Sequence, residues 1–398
     1  MKFFHLSDLH IGKQLHYYNL KENQRAILQQ IINRAEEYRP DAILICGDIF
    51  DKSVPSAEAY TIFDEFLNKL ADIKPQIPVL MIAGNHDNPQ RLSYAGAFLE
   101  KHGIYVSVLP PQKEEEHIRK VELQDEWGKV NFYLLPFLKP GYVRHLFQEG
   151  VVTDYNSAIR ELLHRDGIDK EQIPMEERNV LLSHQFYVNG KEQPQVCDSE
   201  QWTAQVGGLD SVEASFVEHF DYVALGHIHG AQKVRNSHIR YCGTPLKYSV
   251  SEEKHEKSIT LVTLEEKGTE PVIEIIPLLP MQEVRTEKGL LSEILERATE
   301  ENCHDFISVT ITDEKEPYHP REQLEEKYDF ILELRVDNQR TRAFAELPEN
   351  EEFQMSPLEV FHSFYQDMRG QTMSEEEEIW LKRILGDTEE ADIGNDSK

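Results

Sequence analysis

Five short apolar runs in this sequence each end on residues able to hold a metal ion or move a proton. Val79-Leu80-Met81-Ile82 leads through Ala83-Gly84 into Asn85-His86-Asp87, an amide, an imidazole and a carboxylate in succession. Phe3-Phe4-His5-Leu6 leads into Ser7-Asp8-Leu9-His10, and Ala42-Ile43-Leu44-Ile45-Cys46 into Gly47-Asp48. Asn179-Val180-Leu181-Leu182 ends on Ser183-His184, and Tyr222-Val223-Ala224-Leu225 on Gly226-His227-Ile228-His229. Asp8, His10, Asp48, Asn85, His184, His227 and His229 form a mixed oxygen and nitrogen donor set. Such a set suits a pair of divalent transition ions better than calcium or magnesium. His86, set among these donors, can give a proton or take one. Singly, each ending is an ordinary turn; their recurrence is what points to chemistry.

Donors this far apart in sequence meet only if the strands before them lie side by side. The carboxyl ends of strands in an open α/β sheet are where ligands bind. The run lengths predict strands buried on both faces. Gly47, Gly84 and Gly226 let the backbone turn close to a bound group, and residues two apart, such as Asp8 and His10, can face one side. Between the runs, Asn19-Leu20-Lys21-Glu22 predicts a capping box opening a helix to about Tyr38, with Ile27, Leu28, Ile31, Ile32 and Ala35 inward. Ser56 opens a second helix, with Ile62, Phe63, Phe66, Leu67 and Leu70 on its inner face. A third helix, from about Gln90 to His102, leads to a strand over 104–109. Strand, helix and strand in succession make βαβ units.

Further on, the alternation around Trp127-Gly128 predicts a hairpin, and a polar helix over about 153–165 precedes the His184 strand. Residues 187–208 read as a long loop beside the site. Strands over 239–242, 259–264 and 272–276 read as antiparallel and as completing a second sheet. The expected fold is a four-layer αββα sandwich over residues 1–278.

From 279 the pattern changes. Leu290, Leu291, Ile294, Leu295 and Ala298 are helically spaced, while Ile307, Val309 and Ile311, then Phe330, Leu332, Leu334 and Val336, alternate. A charged helix from Pro320 lies between them, so 279–345 is expected to be a small α/β domain. Residues 346–354, with Pro348 and four glutamates, read as an acidic linker. Residues 355–386 hold two capping boxes, Ser356 to Glu359 and Ser374 to Glu377. Each precedes an apolar stripe: Leu358, Phe361, Tyr365 and Met368, then Trp380, Leu381, Ile384 and Leu385. Phe364 adds a further large aromatic, and two helices this short must dock on something. Residues 387–398 read as a disordered acidic tail.

Composition sets bounds on function. With 398 residues the chain can bury a large core and carry two or three modules. Its four cysteines, Cys46, Cys197, Cys242 and Cys303, form no C-x-x-C pair, which argues against structural zinc and for a reducing cytosol. No apolar run approaches a membrane span, and the amino terminus enters a strand without a signal peptide. Lys plus Arg is 42 against 72 for Asp plus Glu, a formal net charge of −30. That balance opposes tight, autonomous binding of DNA, which is driven by phosphate neutralisation. Two divalent cations would outweigh Asp8 and Asp48 locally, and a chain this acidic would act on DNA only with a partner supplying part of the grip. Of 17 histidines, five are assigned to chemistry and the rest to surface or packing.

The succession D-x-H, G-D, G-N-H-D, a lone His and G-H-x-H resembles the calcineurin-like metallophosphoesterase superfamily. Within it, residues 3–12, 85–92, 207–212, 221–229 and 241–252 are similar to the SbcD family of DNA nucleases. The resemblance implies that Asp8, His10 and His229 hold one metal, that Asn85, His184 and His227 hold the other, and that Asp48 bridges them. A carboxylate suits that place because its two oxygens can serve cations about 3.5 Å apart. It implies that His86 is a non-ligand that contacts the scissile phosphate and assists the departing oxygen, with Asp87 orienting its ring. Two divalent metal ions are expected, manganese foremost.

The implied activity is cleavage of DNA in repair, recombination and replication, from duplex ends and within hairpins or single strands. The 279–345 module corresponds to a capping domain that positions DNA. The helices of 355–386 would dock an SbcC-like coiled-coil ATPase, in a heterotetramer built on a homodimer of this chain. A stand-alone phosphatase or cyclic-nucleotide phosphodiesterase would use the same metal site. Against it, Gly47 to Lys52 lacks the arginine of protein phosphatases, and such an enzyme has little use for the carboxy-terminal modules. An inactive scaffold disagrees with a complete set of ligands.

Overall fold

Branched and aromatic side chains dominate the runs before the donor residues, and in the computed structural model each run is a strand covered on both faces. These strands are Lys2–Leu6, Ala42–Cys46, Val79–Ile82, Arg178–Ser183 and Tyr222–Leu225. The structure describes residues 1–200, 211–315, 317–345, 357–369, 372–374, 377–378 and 380–381. The first three strands lie parallel in a six-stranded sheet, Leu6 opposite Ile45 and Cys46 opposite Ile82, so their carboxyl ends are level. The other two are parallel neighbours in a second six-stranded sheet, Leu225 opposite Ser183.

Three apolar layers hold this arrangement. Phe3, Leu44, Leu80, Phe132, Leu182 and Tyr222 fill the space between the sheets. Ile27, Ile31, Phe63 and Phe66, from helices Lys21–Tyr38 and Ala57–Asp72, cover the outer face of the first sheet. Ala158, Ile159 and Leu162, from helix Tyr155–Arg165, cover the second. Each large apolar side chain so buried contributes about 1.5–3 kcal/mol. The architecture is the αββα sandwich expected.

Three local expectations are corrected. Of the strands expected to complete the second sheet, only Asn236–Tyr241 does so, parallel to Tyr222–Leu225. Ser258–Thr263 and Val272–Pro277 instead extend the first sheet, with Val262 opposite Phe3. Lys2–Leu6 would otherwise be an edge with a row of unpaired amides, and alternation along a strand does not say which edge it will cover. The helix over 90–102 is two short helices, Pro89–Leu92 and Gly96–Lys101, broken at Ala95 in the left-handed region. The capping box before Lys21 is out of phase: Leu20 is the cap, and Asn19 Oδ1 accepts from the Lys21 amide at 2.9 Å.

Beyond the sandwich, Val284–Gly289, Phe306–Ile311 and Phe330–Val336 form a three-stranded parallel sheet carrying helices Leu291–Glu296 and Pro320–Glu325. The first of these strands escaped the sequence reading because Arg285, Glu287 and Lys288 mask its alternation. One face of the sheet packs Ile307, Val309, Ile311 and Ile331 against the helices. The other gives Val284, Phe306 and Leu332 to the apolar layer of the first large sheet. Met1–Asn338 is thus one compact unit.

The second unit, Gln339–Lys398, contains the helix Pro357–Arg369, on which Val360, Phe361 and Phe364 are exposed. Ser374 and Glu377 form the capping box read from sequence. Residues 201–210, the linker 346–354, the box residue Ser356, the side chain of Met368, Ile384, Leu385 and the tail 387–398 lie outside the described residues. No helix among the described residues is long and apolar enough to cross a membrane.

Candidate metal centre

Level strand ends bring the donor residues to one place, and the turns that carry them are unusual. Asp8, His10, Asp48 and His227 all have positive φ, at 52°, 42°, 48° and 100°. Each such residue costs about 1–3 kcal/mol and persists only where its surroundings over-determine it. Here the turns are laced together: Asp8 N donates to Gly47 O at 3.0 Å, His10 N to Asp48 O at 2.9 Å and Ile11 N to Ile49 O at 2.9 Å. Gly84 and Gly226 have no room for a side chain. A Cβ on the first would overlap the Asp48 carboxylate, and one on the second would overlap the Cys46 carbonyl oxygen.

All seven proposed ligands converge. Donor atoms of Asp8, His10 and His229 lie within 4.8 Å of one another, as do those of Asp8, Asp48 and His184. Asn85 Oδ1 is 3.1 Å from His184 Nε2 and 3.0 Å from His227 Nδ1. Asp48 Oδ2 stands between the groups, 3.7 Å from His10 Nε2 and 3.5 Å from His184 Nε2. That is the place a bridging carboxylate would take.

The direction of the lone pairs tests whether cations fit. His184 Nδ1 faces Cys46 O at 2.7 Å, an oxygen that only accepts, so the proton sits on Nδ1 and a neutral ring turns a bare Nε2 toward the Asn85 oxygen. The His229 Nδ1 lies against Ser199 Oγ at 2.9 Å and Glu252 Oε1 at 3.3 Å, which leaves its Nε2 facing His10 Nε2 at 3.2 Å. A bare Nε2 against an amide oxygen repels unless a positive charge lies between them, and His229 turns its own bare Nε2 toward His10, so the donor set fits metal ions. Charge points the same way. Burial would lower the His184 pKa, but Asp48 and Asp8 push it up to about 9. Burial likewise opposes, and Cys197 and Glu252 drive, a rise at His229 to about 10. Burial, then the charge of His184, takes His227 down to about 3. The carboxylates draw positive charge into a buried space, and divalent cations meet the same demand.

His86 is placed differently. Its Nδ1 donates to the Asp51 carbonyl oxygen at 2.7 Å, and its ring lines an open hollow of about 520 Å³ with Asp51, Lys52, Ser53, Val54 and Asn85. Its Nε2 is 4.0 Å from Asp48 Oδ2. The expectation for Asp87 is corrected: its carboxylate does not touch the His86 ring. It accepts from the amides of Gly84 at 2.9 Å, Ile49 at 3.1 Å and Phe50 at 3.0 Å, tying two turns together. Burial and the charge of Asp48 push its pKa up to about 6 against those amides.

Sequence reasoning missed Asp51, which fixes the His86 ring through its main chain and pairs with Lys13 at 2.9 Å. It also missed Ser199 and Glu252 behind His229. A main-chain contact leaves no trace in residue type, whereas Glu252 closes the 241–252 segment already singled out by resemblance.

Residues 1–231 match the family model described as calcineurin-like phosphoesterase. Residues 279–369 match the one described as Type 5 capsule protein repressor C-terminal domain. The chain is similar to SbcD, the nuclease subunit of SbcCD, from Staphylococcus epidermidis. The two are 29% identical over 391 residues, which covers 97% of this chain and 98% of that protein. Among solved structures it is similar to phosphopantetheinyl hydrolase from Mycobacterium tuberculosis, at 14% identity and a TM-score of 0.32, over 61% of this chain and 90% of that one. It is also similar to GAP50, the anchor in the inner membrane complex of Plasmodium, at 13% identity and a TM-score of 0.39, over 71% of this chain and 90% of that one.

Proposed function

The chain belongs to the calcineurin-like phosphoesterase family, a metal-dependent class, and from that premise we propose that it is a DNA nuclease working with a coiled-coil ATPase. The observation that carries the reading is the convergence of His10 Nε2 and His184 Nε2 on Asp48 Oδ2, with His86 standing where the cluster opens to solvent. In this reading Asp8, His10 and His229 hold one divalent ion, Asn85, His184 and His227 the other, and Asp48 bridges them. When bound, the ions supply a water made nucleophilic at neutral pH and offset charge on the phosphate oxygens; manganese is the best activator, because magnesium binds imidazole poorly.

The protein's own residues do the rest. The Asp51 carbonyl keeps a proton on His86 Nδ1, so the nitrogen left to carry the mobile proton is Nε2, 4.0 Å from Asp48 Oδ2. From there it is donated to the departing oxygen of the phosphodiester. Asp87, accepting from the Ile49 and Phe50 amides, and the His86 amide, donating to Asp48 Oδ1, keep the turn bearing Asn85 and His86 against the turn bearing Asp48.

DNA as substrate is supported by the similarity to the nuclease subunit over nearly the full length of both chains. In this reading duplex ends are degraded and hairpins or single strands are cut internally. The 279–345 module caps the site and positions DNA. Exposed Phe361, Phe364 and Trp380 support docking of an SbcC-like ATPase, in a heterotetramer built on a homodimer of this chain. The acidity of the chain agrees with a partner that supplies part of the DNA contact, and the complex is expected in the cytoplasm.

Assays on linear duplex, hairpin and single-stranded DNA, with manganese and with or without the ATPase, test the activity. Cleavage that requires manganese is expected. Hydrolysis of small phosphate esters with none of DNA would overturn the nuclease reading, and full activity with one tightly bound zinc would overturn the two-ion reading. Deleting residues from 350 onward should leave a folded, metal-loaded nuclease that no longer co-purifies with the ATPase; unchanged affinity would show that these helices are not the docking element.

A further inference from the structure

The 241–252 segment, conspicuous in the sequence, supplies none of the proposed metal ligands, yet it ends directly behind one of them. Glu252 is fully buried, and its carboxylate is crowded with donors. Oε1 accepts from Ser249 Oγ at 3.1 Å, Tyr248 N at 3.2 Å, Ser199 Oγ at 3.2 Å and His229 Nδ1 at 3.3 Å. Oε2 accepts from Lys257 Nζ at 2.6 Å and Thr244 Oγ1 at 3.2 Å. Lys257, also buried, donates in addition to the main-chain oxygen of His229 at 3.1 Å. The Glu252–Lys257 pair therefore holds His229 twice, by its ring and by its backbone. From the same segment, the Tyr248 ring packs edge-on against His10 and His229, at 5.5 Å and 6.2 Å between centroids.

A buried ion pair is a weak stabiliser, because desolvation of both charges offsets their attraction. Its place under a ligand gives it a different use. A carboxylate behind a ligating imidazole fixes the tautomer and raises the basicity of the other nitrogen. Among the described residues, His184 Nδ1, at the other metal position, is backed by the Cys46 carbonyl, a neutral acceptor. The two positions are thus built differently.

We propose that Glu252, held by Lys257, is a positioning residue for His229 and makes the Asp8–His10–His229 position the tighter of the two metal sites. The proposal rests on the two-metal reading above and deepens it.

The test is a manganese titration of the metal-free full-length chain, followed by calorimetry and by electron paramagnetic resonance, for wild type and Glu252→Gln. Wild type should bind two ions of unequal affinity and show the signal of a coupled pair. In Glu252→Gln the tighter site should weaken by roughly 10- to 100-fold, the usual cost of losing such an outer partner. With two equivalents of manganese the variant should then show the signal of isolated ions, and the weaker site should be unchanged. Ser199→Ala removes only the hydroxyl between ring and carboxylate; it should shift the same site in the same direction, and it serves if Glu252→Gln does not fold. A folded variant with a lower melting temperature and both affinities intact would make Glu252 merely structural and overturn the proposal. Wild-type protein that binds no manganese would instead remove the metal-centre reading beneath it.

Discussion

His86 is the histidine of the cluster that reaches furthest into solvent, with 38% of its side chain exposed. Its ring is held by the Asp51 main-chain oxygen at 2.7 Å and approaches Asp48 Oδ2 only at 4.0 Å, so it is not needed to orient that carboxylate. His86→Ala should keep both metals while losing roughly two to four orders of magnitude in turnover, the scale of a general acid. His184→Ala should instead lose metal, read as manganese content after dialysis. A His86→Ala protein that also emptied would mark His86 as a ligand.

His5 is the contrasting case, a histidine outside the chemistry. It accepts from Tyr222 OH at Nδ1, 2.9 Å, and donates from Nε2 to Leu225 O, 3.1 Å, so its neutral form is fully satisfied. Burial, with Arg240 nearby, takes its pKa down to about 3. The unfolded chain therefore binds a proton that the folded chain refuses. Stability from this residue is full above pH about 6.5 and is lost as pH falls toward 3, by roughly 5 kcal/mol at most. Melting temperature against pH, measured with chelator present, should fall less steeply over this window in His5→Gln than in wild type.

The turn after each strand, more than the strand itself, is the functional element. Four of the proposed ligands sit in left-handed backbone, and their turns are held by amide–carbonyl bonds to neighbouring turns. Gly226 shows how little slack remains, since a methyl group there meets both Cys46 O and His184 Nδ1. Gly226→Ala should cost roughly 3 kcal/mol or more and reduce metal content, because the contact that sets the His184 tautomer is displaced. Gly96, with open space around it and an ordinary φ at a helix start, is the control. Gly96→Ala should be neutral or raise stability by about 0.5 kcal/mol. Chemical denaturation of both proteins reads the difference.

At the scale of the whole molecule, the small parallel sheet shares a core with the sandwich. Phe306 and Leu332 lie in the same apolar layer as Leu20 and Leu246, and Tyr18 packs its ring on Phe330 at 5.3 Å. A chain ending at Asn338 should therefore keep the melting temperature of the full protein. One ending at residue 278 should aggregate or melt well below it, because it uncovers that layer. Leu332→Ala within the full chain should cost about 2–5 kcal/mol. A stable, metal-binding 1–278 fragment would show that the sheet is only an attachment.

Much of this protein is legible in its sequence because the relevant signals are local. A buried strand needs a run of apolar side chains, a close turn needs glycine, and a metal needs His, Asp or Asn at its edge. Those three requirements alone single out Asp8, His10, Asp48, Asn85, His184, His227 and His229 as candidate ligands, and the layered α/β fold that gathers them. What tertiary structure decided is non-local. Which edge Ser258–Thr263 would cover depended on the unpaired amides of Lys2–Leu6, far away in sequence. Asp87 looked like the partner of His86 by adjacency, but its carboxylate was drawn inward by three amides, and Asp51 took the ring through a main-chain oxygen that any residue possesses. The outer support of His229 was equally hidden: a glutamate and a lysine near a serine acquire meaning only once folding buries them together behind an imidazole, where an unpaired charge could not remain.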